Sequence, residues 1–204
     1  STSRGLGDVY KRQLQALAQA HRPLVVSIAA GITSAQLERW LGGHLPVVRA
    51  MPNTPALLGA GVTGLYATPS VDAQQHARAE QVLASAGRTV WIDSETLMDS
   101  VTAVSGSGPA YVFLLAEAME AAGIAQGLPA DAARALVVQT LLGASRMLDE
   151  AGESPAELRR RVTSPNGTTQ AAIESFQAGG FEALVDKALR AAQVRGQELS
   201  AAND

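Results

Sequence analysis

Cysteine is absent from this chain of 204 residues, which excludes disulfides and thiolate chemistry and favours a reducing, cytoplasmic address. Histidine is scarce. His21, His44 and His76 stand far apart, without the ligand spacing of a metal centre, so no metal is expected. Lysine occurs only at Lys11 and Lys187, which leaves little material for chemistry built on an amine base or a Schiff base. Excess positive charge is also missing: the net charge is −3 and the pI about 5.6, with no basic footprint for nucleic acid. No apolar run approaches the ~20 residues a membrane span requires. The segment Ser1-Thr2-Ser3-Arg4-Gly5-Leu6-Gly7-Asp8 has neither the charged flank nor the apolar centre of a signal peptide.

What the chain does have is 47% hydrophobic residues, sufficient for one large core or two modest ones. Leu14, Leu17 and Ala18 suggest a short helix. Leu24-Val25-Val26-Ser27-Ile28 is a continuous apolar run, the pattern of a strand covered on both faces in a parallel sheet. Thr33 with Gln36 fits a capping box for a helix through Leu41, stopped by Gly42-Gly43. Strands are expected at Pro46–Met51, Gly61–Ala67 and Arg88–Ile92, with a helix over Val71–Ala86 between the last two. This alternation predicts an α/β sheet of βαβ type. After Asp93 only helices are expected: one behind Ser107-Gly108-Pro109, with Ser107 as its N-cap, one over Ala130–Glu150, and a last one marked by Phe181, Leu184, Val185, Ala188, Leu189 and Ala192. The chain is therefore read as α/β followed by all-α.

Chemistry concentrates in turns. Ser164-Pro165-Asn166-Gly167 combines a proline-fixed φ with the two residues that best tolerate positive φ. A helix starting at Thr168-Thr169 leaves its first backbone N–H groups without partners inside the helix, a geometry suited to a small anion such as a carboxylate. The competing reading is an ordinary capped helix. Ser27–Gly31 and Met51-Pro52-Asn53-Thr54-Pro55 both follow strands, where α/β sheets place ligands. Each also reads as a plain tight turn. Ser105-Gly106-Ser107-Gly108-Pro109 lacks the Lys and the spacing of a phosphate loop and reads as a joint between domains. Arg159-Arg160-Arg161 reads as a solvated face.

Four segments, in order, resemble the pyrroline-5-carboxylate reductase family: Val26-Ser27-Ile28-Ala29-Ala30-Gly31-Ile32-Thr33, Val48–Pro55, Ser105–Tyr111 and Val162–Gln177. The family usually shows Ser-Pro-Gly-Gly where this chain has Ser164-Pro165-Asn166-Gly167, and often an acidic residue near Arg160. The resemblance runs from about Leu14 to residue 200. It implies an incomplete Rossmann-like nucleotide-binding domain over 14–100 and a C-terminal helical dimerisation and substrate-binding domain over 101–204, with 1–13 a leader foreign to the family. The G-x-G-x-x-G cradle of such domains is missing. Gly5-Leu6-Gly7 has no third glycine, and Asp8 repels phosphate. The resemblance therefore also implies a truncated chain with little activity on its own.

The activity implied is NAD(P)H-dependent reduction of 1-pyrroline-5-carboxylate to L-proline, with NADP as cofactor or NAD in its place, in a cytoplasmic homo-oligomer of at least two subunits. The N–H groups of Gly167, Thr168 and Thr169 would hold the substrate carboxylate. Ser164 would shape their turn, and the Thr169 hydroxyl would meet the ring nitrogen as the catalytic group. Ile28 and Ala30 would bind the cofactor, Ala30 beside its nicotinamide end, and Asn53, near the catalytic cleft, would contact the cofactor or the substrate. Two other readings compete: a 3-hydroxyacid dehydrogenase relative, which would rely on a Lys or His in its cleft, and a non-catalytic dimerisation module.

Overall fold

A computed structural model describes residues 14–203; the expected leader over 1–13 lies outside the described residues. By internal contacts the chain divides into two units, one running to Pro109 and resuming at Leu189, the other Ala110–Ala188.

In the first unit, helix α1 (residues 14–21) leads to strand β1 (Val25–Ser27), helix α2 (Ser34–Leu41), strand β2 (Val47–Met51), strand β3 (Gly61–Ala67), helix α3 (Ala73–Leu83) and strand β4 (Gly87–Trp91). The sheet order is β1-β2-β3-β4. β1 is parallel to β2, β2 antiparallel to β3, and β3 parallel to β4. The expected strands are present, but the sheet is mixed rather than purely parallel. The reason lies in the β2–β3 link: a short 3₁₀ turn, Thr54–Leu58, cannot cross back over the sheet as a parallel connection would require. β2 supplies the centre of the core. Val48, Ala50 and Leu65 are buried with Ala79 of α3, flanked by Leu24, Leu83 and Trp91. Each large side chain so buried contributes about 1.5–3 kcal/mol. β1 departs from expectation. Among the described residues it is an edge strand, and Val26 stands 42% exposed.

Both helix starts follow from their caps. Thr33 and Gln36 form the expected capping box, and Asp72 and Gln75 form a second one at α3. The end of α2 uses left-handed glycines at Gly42 and Gly43, as C-caps favour.

After β4, helix α4 (Met98–Val101) runs into a π-helical turn (Thr102–Gly106) and on into helix α5 (Gly108–Ala125). This overturns Ser107 as an N-cap. Its backbone is helical and its N–H donates to the Thr102 carbonyl at 2.8 Å, so no helix begins there. The Thr102 and Ser105 hydroxyls donate back to the Met98 and Val101 carbonyls, a pattern that bends helices.

The second unit is helical: most of α5, then α6 (Ala130–Glu150), α7 (Pro155–Arg161), α8 (Thr168–Ala178) and the first turns of α9 (Phe181–Ala201). α7 was not anticipated. Its signal is Ser154-Pro155, an N-cap serine whose hydroxyl accepts from the Glu157 N–H, followed by proline in the first turn. The arginine run at its end is largely paired: Arg160 donates to Glu157 at 2.8 Å and Arg161 to Glu153 at 2.6 Å. Arg160 holds the Glu157 carboxyl below the usual carboxylate range.

Candidate functional site

β1 and β2 are parallel, with Ser27 opposite Arg49, so the turns that follow them leave the same edge of the sheet. Ala29 and Ala30 are exposed there, and their methyl groups leave room for a flat ring to approach the backbone. The Ser27 hydroxyl accepts from the Ala29 N–H at 3.3 Å and tightens the turn. Gly31 has φ +70, and an added Cβ would stand 2.9 Å from the Leu199 Cβ, so glycine is required on both counts. Ile28, 63% exposed, forms part of the wall of an apolar groove of about 640 Å³ that also includes Leu14, Leu17, Val25, Leu37 and Leu41.

Asn53 serves the fold before it serves any ligand. Its Oδ1 accepts from the Val62 N–H at 3.0 Å, and its Nδ2 donates to the Ser105 carbonyl at 3.2 Å. One N–H and one lone pair remain for a ligand. The amide thus joins the start of β3 to the π-helical turn, where a Cβ on Gly106 would come within 2.9 Å of the Met51 Cε.

Sequence reasoning missed a buried ionic network behind these turns. Arg49, a cation inside the apolar strand β2, is 5% exposed and pairs with Glu95 at 2.9 Å. Glu95 also accepts from the Ser34 N–H at 2.7 Å and from the Ser34 hydroxyl, capping the N-terminus of α2 with a negative charge. Asp99 lies close by; burial pushes its carboxyl up, against the pull of Arg49 and with the push of Glu95. The legible signal was an arginine in a strand otherwise buried and apolar, which demands a partner.

In the second unit the Ser164–Gly167 segment forms a β-turn closed by the Gly167 N–H on the Ser164 carbonyl at 3.0 Å. The left-handed residue is Asn166, with φ 60, while Gly167 is extended at φ −87. The Gly167 N–H is therefore spent inside the turn, contrary to the expectation that it would face a carboxylate. α8 starts at Thr168 with no side-chain cap. Since the Ala171 N–H is the first to reach back into the helix, onto the Gly167 carbonyl, the donors left over are those of Thr168, Thr169 and Gln170. Gln170 turns its side chain back, its Oε1 accepting from the Asn166 N–H at 2.8 Å and its Nε2 donating to Glu174 at 2.7 Å. An uncapped helix start with two threonines, and with no ionisable side chain between Ser164 and Thr169, suits an anion held by neutral donors.

The structure places Ile28, Ala30 and Asn53 just past the C-terminal ends of the parallel strands β1 and β2 of the first unit and Ser164, Gly167, Thr168 and Thr169 at one helix start of the second. A Rossmann-like segment followed by a helical half defines a class: nucleotide-dependent oxidoreductases with a helical dimerisation domain. Residues 95–199 match the family model for pyrroline-5-carboxylate reductase dimerisation. The pyrroline-5-carboxylate reductase of Pseudomonas aeruginosa is 58% identical over 192 residues, 93% of this chain and 70% of that protein. A solved pyrroline-5-carboxylate reductase from Coxiella burnetii superposes with a TM-score of 0.88 at 44% identity, over 92% of this chain and 70% of that one. The Plasmodium falciparum enzyme, solved with NADP bound, gives 0.83 at 29% identity, over 95% and 78%. The chain belongs to the pyrroline-5-carboxylate reductase family.

Proposed function

We propose that this chain carries out the reduction of 1-pyrroline-5-carboxylate to L-proline with NADPH, or NADH in its place, as a cytoplasmic homo-oligomer of at least two subunits that binds no nucleic acid. The observation that carries the substrate assignment is the uncapped start of α8 behind the Ser164–Gly167 turn. Thr168, Thr169 and Gln170 offer three convergent N–H groups to the substrate carboxylate, with the helix dipole behind them. The Thr169 hydroxyl donates to or accepts from the ring nitrogen. Ser164 supplies the carbonyl that closes the turn, and Gly167 allows the chain to enter the helix.

The small residues at Ala29, Ala30 and Gly31, and the free amide N–H of Asn53, fit a nicotinamide ring lying across the sheet edge, with Ile28 beside it. When bound there, the reduced nicotinamide supplies a hydride to the carbon of the C=N bond. The chain's own contribution is to align two flat rings and hold a carboxylate. Orientation of this kind accounts for much of a hydride transfer without a strong base. Arg49 and Glu95 are occupied with each other and with Ser34, which leaves the sheet edge to neutral contacts. In domain terms, the nucleotide-binding part covers 14–100 and the dimerisation and substrate-binding part 101–204. Helices α5 and α6 expose Phe113, Leu114 and Leu142, the apolar surface that a second subunit would cover. No described helix is long and apolar enough to cross a membrane.

The test is Thr169→Val, assayed with a βαβ unit carrying the G-x-G-x-x-G cradle joined ahead of the chain. The variant keeps the shape and loses the hydroxyl. A loss of about ten- to a hundredfold in kcat/KM is expected, from about 1.5–3 kcal/mol for one hydrogen bond to a polar or charged partner, with NADPH affinity unchanged. Full kcat/KM, or lost cofactor affinity instead, would remove Thr169 from the substrate site.

A further inference from the structure

The end of the last helix lies against the turn that follows β1. Three contacts meet there, all within the first unit. The Leu199 Cβ faces Gly31 so closely that a Cβ on the glycine would come within 2.9 Å of it. The Ser200 carbonyl accepts from the Gln36 Nε2 at 2.9 Å, and Gln36 is the same side chain that closes the capping box on Thr33. The Asn203 Nδ2 donates to the Gly31 carbonyl at 3.3 Å and to the Leu199 carbonyl at 2.8 Å. Gly31 and Gln36 are buried, Gln36 to 1% exposure. Residues more than 160 positions apart in sequence thus share one hydrogen-bonded cluster around an exposed Ala29-Ala30.

We propose that Leu199–Asn203 is a positioning clamp for the Ala29–Thr33 turn and so sets how well that turn receives the nicotinamide end of the cofactor. The proposal rests on the reading of this turn as the cofactor's seat. Its physical content is pre-organisation. A short turn of alanines and a left-handed glycine has many accessible conformations, and each external bond to its backbone removes some of them before a ligand arrives. Gly31 presents its carbonyl to Asn203 and its α-carbon to Leu199, so its peptide plane is held from outside the turn. Two further contacts, the Gln193 Nε2 on the Ser100 hydroxyl at 2.8 Å and Gly196 against Asp99, hold the preceding part of α9 in place without any part in the clamp. The helix is therefore expected to stay docked when its last residues are removed.

The experiment compares the chain, with the βαβ unit carrying the G-x-G-x-x-G cradle joined ahead of it, with a version of the same protein ending at Glu198 and with Asn203→Ala. Three quantities are read: amide hydrogen exchange at Ala29, Thr33 and Gln36, whose N–H groups are bonded within the turn and its capping box, NADPH affinity by fluorescence titration, and exchange in α3 and α6 as a control. Exchange in the turn is expected to rise by about tenfold or more in the shortened chain, since local opening loses its external bonds, with α3 and α6 unchanged. NADPH binding should weaken by about fivefold or more, the equivalent of roughly one lost hydrogen bond. Asn203→Ala should show smaller changes of the same sign. The KM for 1-pyrroline-5-carboxylate should stay as it is. Unchanged exchange in the turn overturns the clamp. Faster exchange with unchanged NADPH binding overturns the reading of the turn as a cofactor seat, and the clamp's role in binding with it.

Discussion

Arg49 and Glu95 form an ion pair at 2.9 Å whose arginine side chain is 7% exposed and whose glutamate is 22% exposed. The same carboxylate caps α2 through Ser34, so one side chain ties the central strand to the helix behind the β1 turn. Glu95→Ala leaves a buried cation without its partner and a helix start without its cap. A loss of about 2–3 kcal/mol is expected, below the ~3–5 kcal/mol of a fully buried pair because Glu95 retains contact with water. Glu95→Gln keeps an acceptor for Ser34 and should lose less. Urea denaturation at neutral pH checks both, and equal stability of parent and alanine variant would refute the linkage.

Asp99 gives a pH-dependent expectation. Burial raises its pKa in the folded state, so folding is penalised wherever the carboxyl must ionise. The penalty is absent below the unfolded value of about 3.9 and sets in as pH rises through the folded value. Asp99→Asn keeps the shape beside Gly196 and removes the ionisation. It should raise the melting temperature at pH 7 and lose that gain near pH 3. A gain of the same size at both pH values would assign it to something other than ionisation.

Asn166 holds the left-handed position of the Ser164–Gly167 turn. Alanine there costs about 1–2 kcal/mol of backbone strain, and the strain would fall on the amides assigned to the substrate carboxylate. Asn166→Ala should raise the KM for the pyrroline several-fold, while Asn166→Gly should preserve it. Steady-state kinetics of the two variants, with the βαβ unit joined ahead of the chain and NADPH saturating, decides. A KM that is indifferent to both would detach this turn from substrate.

Phe113 on α5 is 66% exposed and Leu114 65%, on a helix that few polar groups interrupt. Phe113→Glu places a charge in the face assigned to subunit contact. Association should weaken strongly, since an unpaired charge in an apolar interface is costly, while the sheet half keeps its fold because Phe113 is no part of its core. Sedimentation velocity reads the first effect and the near-ultraviolet signal of Trp40 and Trp91, both in the sheet half, the second. A parent that sediments as a monomer would overturn the expected dimer.

Much of this molecule was determined by local sequence. Thr33 with Gln36, Gly42-Gly43 and the apolar stripe of residues 130–150 specify helices through bonds made within a few residues, and α2 and α6 lie where those signals put them. The Pro165-Asn166 pair specified a turn opening on a helix by the same short-range logic. Tertiary structure alone decided the rest. The direction of β3 depends on how the short link after β2 reverses the chain, not on the alternation within either strand. Arg49 and Glu95 lie 46 positions apart, and Gln36 and Ser200 164 apart. Pairings over such separations follow from where the packed core brings the backbone, since no short-range pattern carries the free energy that selects one distant partner over another.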